Sequence, residues 1–229
     1  MTPAAPLLEQ VRRLLERTYG MRPAIGDLSP FVIGDHGLAV LYGAGGPPIE
    51  VGAGAPAGPR TLVRESGGAV RVSVYYPDEM IARLEAHPPQ HGLDDTNVDD
   101  FAALVEELDH LLLLGERVRG GRAVSLFELE LHANVSKHLV LARFLAGQRG
   151  RLGDRRRMWL RHQLFEKHRF TDPRPAVRRR YEDAGRWAVR FLDRLAAAVA
   201  ERRLGLLREF HRASTEAKVA LVERLSALA

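Results

Sequence analysis

Hydrophobic spacing divides the chain into one helix, a β-rich stretch and a long helical remainder. Over residues 7–19, Leu7, Leu8, Val11, Leu14 and Leu15 recur at helical spacing among Glu9, Arg12, Arg13 and Glu16, and Gly20 supplies a stop. Residues 31–75 break into short apolar or alternating runs between Gly/Pro clusters, which predicts strands over 31–33, 38–42, 49–51, 61–64 and 69–75. Pro77 opens a short helix over 78–86. Asn97 is placed to cap a helix running to about Val118, with Asp99 and Asp100 in its first turn. Ser125 caps another to about Ala146, and Glu128 three residues on completes a capping-box pattern. Residues 155–169, 173–202 and 204–228 also read as helices. The expected fold is therefore α+β, with a small β-rich N-terminal region packed on a mainly helical body. Residues 1–148 would form the core, and residues 149–229 a helical extension packed on it as one unit.

Placed on a helical wheel, residues 98–118 centre their apolar face on Phe101, Leu104, Val105, Leu108, Leu111 and Leu112. Glu106 and His110, four apart and so on one face, point roughly the other way, yet Ala103, Leu113 and Leu114 flank them. On the next helix Glu128, His132, Ser136 and Arg143 share the arc expected to face water. Glu130, Asn134, Lys137 and His138 fall instead among Leu126, Phe127, Leu131, Ala133, Leu141 and Phe144. Polar side chains embedded in an apolar arc need ion pairs, mutual hydrogen bonds or a ligand. Asn134, Lys137 and His138 are the candidate supporting network around Glu130.

Composition narrows the chemistry. With 229 residues and 45% hydrophobic content the chain is long and apolar enough for a globular core. No apolar run reaches the ~18 residues a membrane span needs, and the first residues lack a basic, then apolar leader. A cytoplasmic protein with no membrane partner is expected. Cysteine is absent, which excludes disulfides, thiolate metal sites and cysteine nucleophiles. The net charge of +5 is uneven: residues 1–148 hold 13 Lys+Arg against 19 Asp+Glu, residues 149–229 hold 21 against 10. Only Lys137, Lys167 and Lys218 are lysines, so arginine dominates throughout, as GC-rich coding would produce.

The segment Glu106-Glu107-Leu108-Asp109-His110 resembles the His-Glu-x-x-His helix of zincin metallopeptidases with its first histidine replaced by glutamate. The following stretch, Glu130-Leu131-His132-Ala133-Asn134, is similar to the Glu-x-Glu-Ala-Asn of the ImmA/IrrE-like zincins, with His132 at the second glutamate. The resemblance spans about residues 7–146. It implies a zincin-like core in which Glu106, His110 and Glu130 hold zinc or another divalent metal, and Glu107 is the general base of a peptidase-type hydrolase. One histidine with two carboxylates would accept Mn or Fe as readily as Zn. The departures fall on a metal ligand, so an inactive relative is the other form this reading takes.

Three further motifs bear on function. Glu107-x-x-His110 matches one ExxH element of a carboxylate-bridged di-iron bundle, but the second ExxH is missing. Gly43-Ala44-Gly45-Gly46 is not followed by Gly-Lys-Ser/Thr, and Pro47-Pro48 forbids a helix there, so it is not a phosphate loop. Arg155, Arg156 and Arg157 beside Trp159, and Arg178, Arg179 and Arg180 beside Tyr181, could grip phosphates and stack on bases. Amphipathic packing of Trp159, Leu160, Leu164 and Phe165 accounts for the same pattern and is preferred. The alternative function is thus a non-enzymatic adaptor with a structural polar network, its basic helices meeting an acidic protein, a second copy of the chain or, less readily, nucleic acid.

Overall fold

The computed structural model describes residues 5–22, 25–43, 49–51, 58–66, 69–147, 150–167 and 173–227. The Gly/Pro segment with the phosphate-loop look falls almost wholly outside them. Helix α1 (Ala5–Tyr19) is followed by strand β1 (Val32–Ile33), helix α2 (Asp35–Gly43) and strands β2 (Ile49–Val51), β3 (Arg60–Ser66) and β4 (Ala69–Tyr75). Helix α3 (Asp78–Ala86) leads to the two long helices α4 (Val98–Arg119) and α5 (Leu126–Ala146). Then come α6 (Asp154–Arg161), with a π-helical turn over His162–Glu166, and α7 (Pro175–Ala197), α8 (Ala200–Arg212) and α9 (Thr215–Ala227). This is a mainly helical α+β fold, as the spacing predicts.

The four strands lie in the order β1-β4-β3-β2. β3 and β4 form an antiparallel hairpin, β2 pairs antiparallel with β3, and β1 runs parallel to β4. Thr61 and Val74 face each other across the hairpin and are buried, and this face of the sheet lies on α4. Residues 38–42 are helical rather than extended. A short apolar run fits either element, and here Leu38 N–H donates to the Gly34 carbonyl to start the helix.

Helix α4 is the axis of the molecule. Phe101, Leu104, Val105, Leu108, Leu111 and Leu112 are all buried, as their wheel position requires. The sheet, α1, α3 and α5 all pack on α4. Asn97 does not cap it by side chain; its amide donates to the His87 and Gly92 carbonyls and fixes the preceding loop instead. The extension is not a separate layer. Leu160, Ala184, Ala188, Phe191, Phe210 and Leu221 belong to the same continuous core as residues of α1, α4 and α5.

Most of the α5 arc expected to face water is buried: Glu128 and His132 are 2% and 0% exposed and Ser136 is fully covered, while Arg143 is exposed as expected. The cause is long-range. Helices α8 and α9 and the end of α1 close over that side and supply polar partners that no local spacing reveals. Ser125 Oγ accepts the Glu128 N–H at 3.0 Å, but the Glu128 carboxylate does not reach back to complete a capping box. It turns inward to Arg117 Nη2 at 2.7 Å and Lys218 Nζ at 2.8 Å, both side chains almost wholly buried. The expected single helix over 204–228 breaks at Ala213–Ser214. The carbonyls this frees at the end of α8 are taken up by the same cations, Ala213 O by Lys218 at 2.6 Å and His211 O by Arg117 at 2.7 Å.

One carboxylate and two helix-end carbonyls thus hold two buried cations. Replacing Glu128 with Leu should cost about 3–5 kcal/mol by leaving both cations unpaired, read as a lower urea midpoint. Lys218→Met, which leaves the Arg117–Glu128 pair intact, should cost visibly less.

Candidate metal centre

On the opposite side of the α4–α5 seam, the geometry gathers three residues. Glu106 and His110 project from one face of α4, and Glu130 meets them from α5, with one donor atom from each within 4.8 Å of the others. Donors at about 2.1 Å from an ion lie at most about 4.2 Å apart, so small side-chain rotations would close this set on a cation. His110 is 0% exposed, and neither ring nitrogen makes a hydrogen bond among the described residues. Glu130 is 1% exposed, with the buried Tyr181 of α7 close enough to influence its carboxyl. A buried imidazole with Glu107 only at 3.5 Å and a buried carboxylate with no salt bridge of its own among the described residues leave donor atoms that could hold a cation.

The electrostatics agree. Burial pushes the Glu130 carboxyl up, and despite His110 it stands at about 7. Burial also opposes a charged His110, but Glu107, Glu130 and Glu106 outweigh it and hold the imidazole up at about 10. Glu106 is half-buried, and although burial works against its charge, Lys137 and then His110 hold it below the usual carboxylate range. Lys137 Nζ lies 2.6 Å from Glu106 Oε2, so the lysine pairs with Glu106 across the seam rather than with Glu130 on its own helix. An imidazolium and an ammonium together carry the charge of one divalent cation.

Glu107 does not share the donor cluster. Its Oε2 accepts from Thr61 Oγ1 of β3 at 2.7 Å and lies 3.5 Å from His110 Nδ1. This contact would orient the ring and leave Nε2 for an ion, the usual service of a carboxylate behind a metal-binding histidine. Asn134 is buried on α5 one turn beyond Glu130. His138 is farther along, tilted on Phe165 with ring centres 6.3 Å apart, and burial lowers it to about 4. Of the arginine clusters, Arg155, Arg156, Arg157 and Arg179 are exposed, and Arg178 and Arg180 are half-buried. Arg156 donates to Leu145 O at the end of α5, Arg157 to Leu152 O, and Arg180 lies over the Tyr181 ring. The grooves between α7 and α9, lined by Trp187 and Arg190, and between α8 and α9, lined by Glu209 and Arg212, lie away from the donor cluster.

Sequence spacing misses a second polar system altogether. Asp109 Oδ2 meets His132 Nδ1 at 2.7 Å, His132 Nε2 meets His211 Nδ1 at 3.0 Å, and His211 Nε2 meets Glu116 Oε2 at 2.9 Å. Tyr19 packs on both imidazoles and bonds Ser136 at 2.7 Å. Burial lowers His132 to about 4 against the pull of Asp109, so the ring is neutral and donates from Nδ1 to that carboxylate. Its Nε2 is then an acceptor, and His211 donates to it. The partners are 23 and 79 residues apart, beyond any local motif. No family model, characterised protein or solved structure matches the chain.

The two systems predict opposite responses to neutralisation. A carboxyl whose folded value is raised is fully tolerated below its ordinary value and destabilises the fold as pH rises through the folded one. With divalent ions chelated at pH 8, Glu130→Gln should therefore raise the unfolding free energy by about 1 kcal/mol or more. Asp109→Asn, which leaves His132 a neutral acceptor in place of a charged one and buries an added NH2, should lower it by about 2 kcal/mol. Equilibrium urea unfolding measures both.

Proposed function

We propose that this chain is a divalent-metal protein on a zincin-like frame, with a centre suited to peptidase-type hydrolysis. The observation that carries it is the convergence of Glu106, His110 and Glu130, with His110 fully buried and lacking a hydrogen bond among the described residues. The order of elements, a first helix, a sheet, then two successive helices bearing the donors, is also what the resemblance implies. One histidine and two carboxylates suit Zn, Mn or Fe. A bound ion would supply Lewis acidity and lower the pKa of a water. Glu107 is the base in this reading, its carboxylate held between the Thr61 hydroxyl and the His110 ring.

One observation favours the adaptor reading as a second. Lys137 already pairs with Glu106, so the cluster balances its own charge without an ion. In that case the network is structural, and the exposed arginines of α6 and α7 are the contact surface for an acidic partner.

Elemental mass spectrometry after exposure to Zn, Mn or Fe should find about one ion per chain, as a single three-donor site requires. Glu106→Ala and His110→Ala should each remove it. Glu107→Gln should keep the ion and abolish turnover in a peptide-hydrolysis screen. Metal uptake indifferent to both alanine substitutions would overturn the reading.

A further inference from the structure

We propose that Lys137 is a tethered competitor for the metal position, so that an ion enters only by driving this ammonium off Glu106. The inference rests on the metal-site reading above and adds what regulates that site. Three observations carry it.

First, the ammonium is 2.6 Å from Glu106 Oε2, on one of the three donor residues themselves. Even an ion bound through the other oxygen would share a carboxylate with a fixed positive charge at close range, and in a largely buried pocket that repulsion is weakly screened. Second, Lys137 has somewhere to go. Its side chain is 13% exposed and Glu106 22%, so the pair sits at the rim of an otherwise closed cluster. A four-carbon stem can stay packed while its head swings into water. Third, the α4 carboxylates nearest in sequence to Glu106 cannot replace it. Glu107 is held by Thr61, and Asp109 is turned to His132.

The consequence is an affinity set below what the ligand set alone would give, and an ion-dependent change in the exposure of one amine. The chain contains only three lysines, which makes that change directly readable. Lys167 is partly exposed on Asp99, and Lys218 is fully buried. They serve as internal references for an accessible and an inaccessible amine.

The test uses the full chain, stripped with a chelator and titrated with Mn, Zn or Fe(II), with each lysine's rate of acylation followed by mass spectrometry. Lys137 should acylate several-fold faster at saturating metal while Lys167 and Lys218 hold their rates. In parallel, Lys137→Met should bind the same metal about tenfold tighter or more, a change corresponding to loss of one competing charge. Equal affinity in both proteins, with Lys137 acylation indifferent to metal, overturns the competitor and leaves the metal site standing. Binding by neither protein overturns the site itself, and the competitor with it. The acylation arm uses the unsubstituted chain, so it decides the matter even if Lys137→Met folds poorly.

Discussion

Enclosure of the α4–α5 pair is the constraint from which the rest follows. The sheet and α1 cover α4, α7 covers α5, and α8 and α9 are tied to both through His211 and Lys218. A carboxylate placed there loses its water and must be answered by another side chain. Three polar systems succeed one another along the antiparallel pair. Arg117–Glu128–Lys218 and Asp109–His132–His211–Glu116 adjoin through His211, and Glu106–His110–Glu130 lies across the seam from them. The first two are joined by bonds of 2.7–3.0 Å, with Arg117 Nη1 and Asp109 Oδ1 left without a hydrogen bond among the described residues. In the third, among the described residues, the imidazole is left without a hydrogen bond and one carboxylate without a salt bridge. The difference is one of degree: the first two systems each leave one buried polar atom unbonded, and the third leaves both His110 nitrogens and both Glu130 oxygens so among the described residues.

The parts of this arrangement visible in the sequence are those governed by local period. Glu106 and His110 are one helical turn apart, and Glu130 shares a mostly apolar arc with Asn134, Lys137 and His138; that Glu130 is the third donor is what the zincin resemblance implies, not what period shows. Local period also places the apolar stripe of α4 and the β3–β4 hairpin. It fails on Glu128, His132 and Ser136 because a helical wheel ranks faces only by their own residues. Their face looks polar and is buried, since α8, α9 and Tyr19 of α1 bring matching polar groups. Residues 38–42 fail for a different reason, a five-residue apolar run being too short to distinguish a strand from a helix. The destination of Lys137 is likewise invisible, because Asn134 and Glu130 on its own helix offer nearer partners than Glu106 across the seam.

The extension changes meaning in this light. Its excess of arginine suggests an outward-facing function, yet its most consequential residues face inward: Tyr181 toward Glu130, His211 toward His132, Lys218 onto Glu128. Even Arg156 spends a hydrogen bond on the α5 terminus. Whatever the outer arginines contact, the extension first completes the polar interior of the residues that precede it.

That dependence has a temporal side. Synthesis proceeds from the N-terminus, so α4 and α5 leave the ribosome before α8 and α9 exist. Until Lys218 is made, Glu128 has Arg117 as its buried partner, and until His211 is made the Asp109–His132 pair stands open on one side. The nascent chain must keep this seam wet, and its interior can dry only after some eighty further residues have been translated, as the 79-residue separation of His132 from His211 requires. For this protein, the core matures only once α8 and α9 have been made.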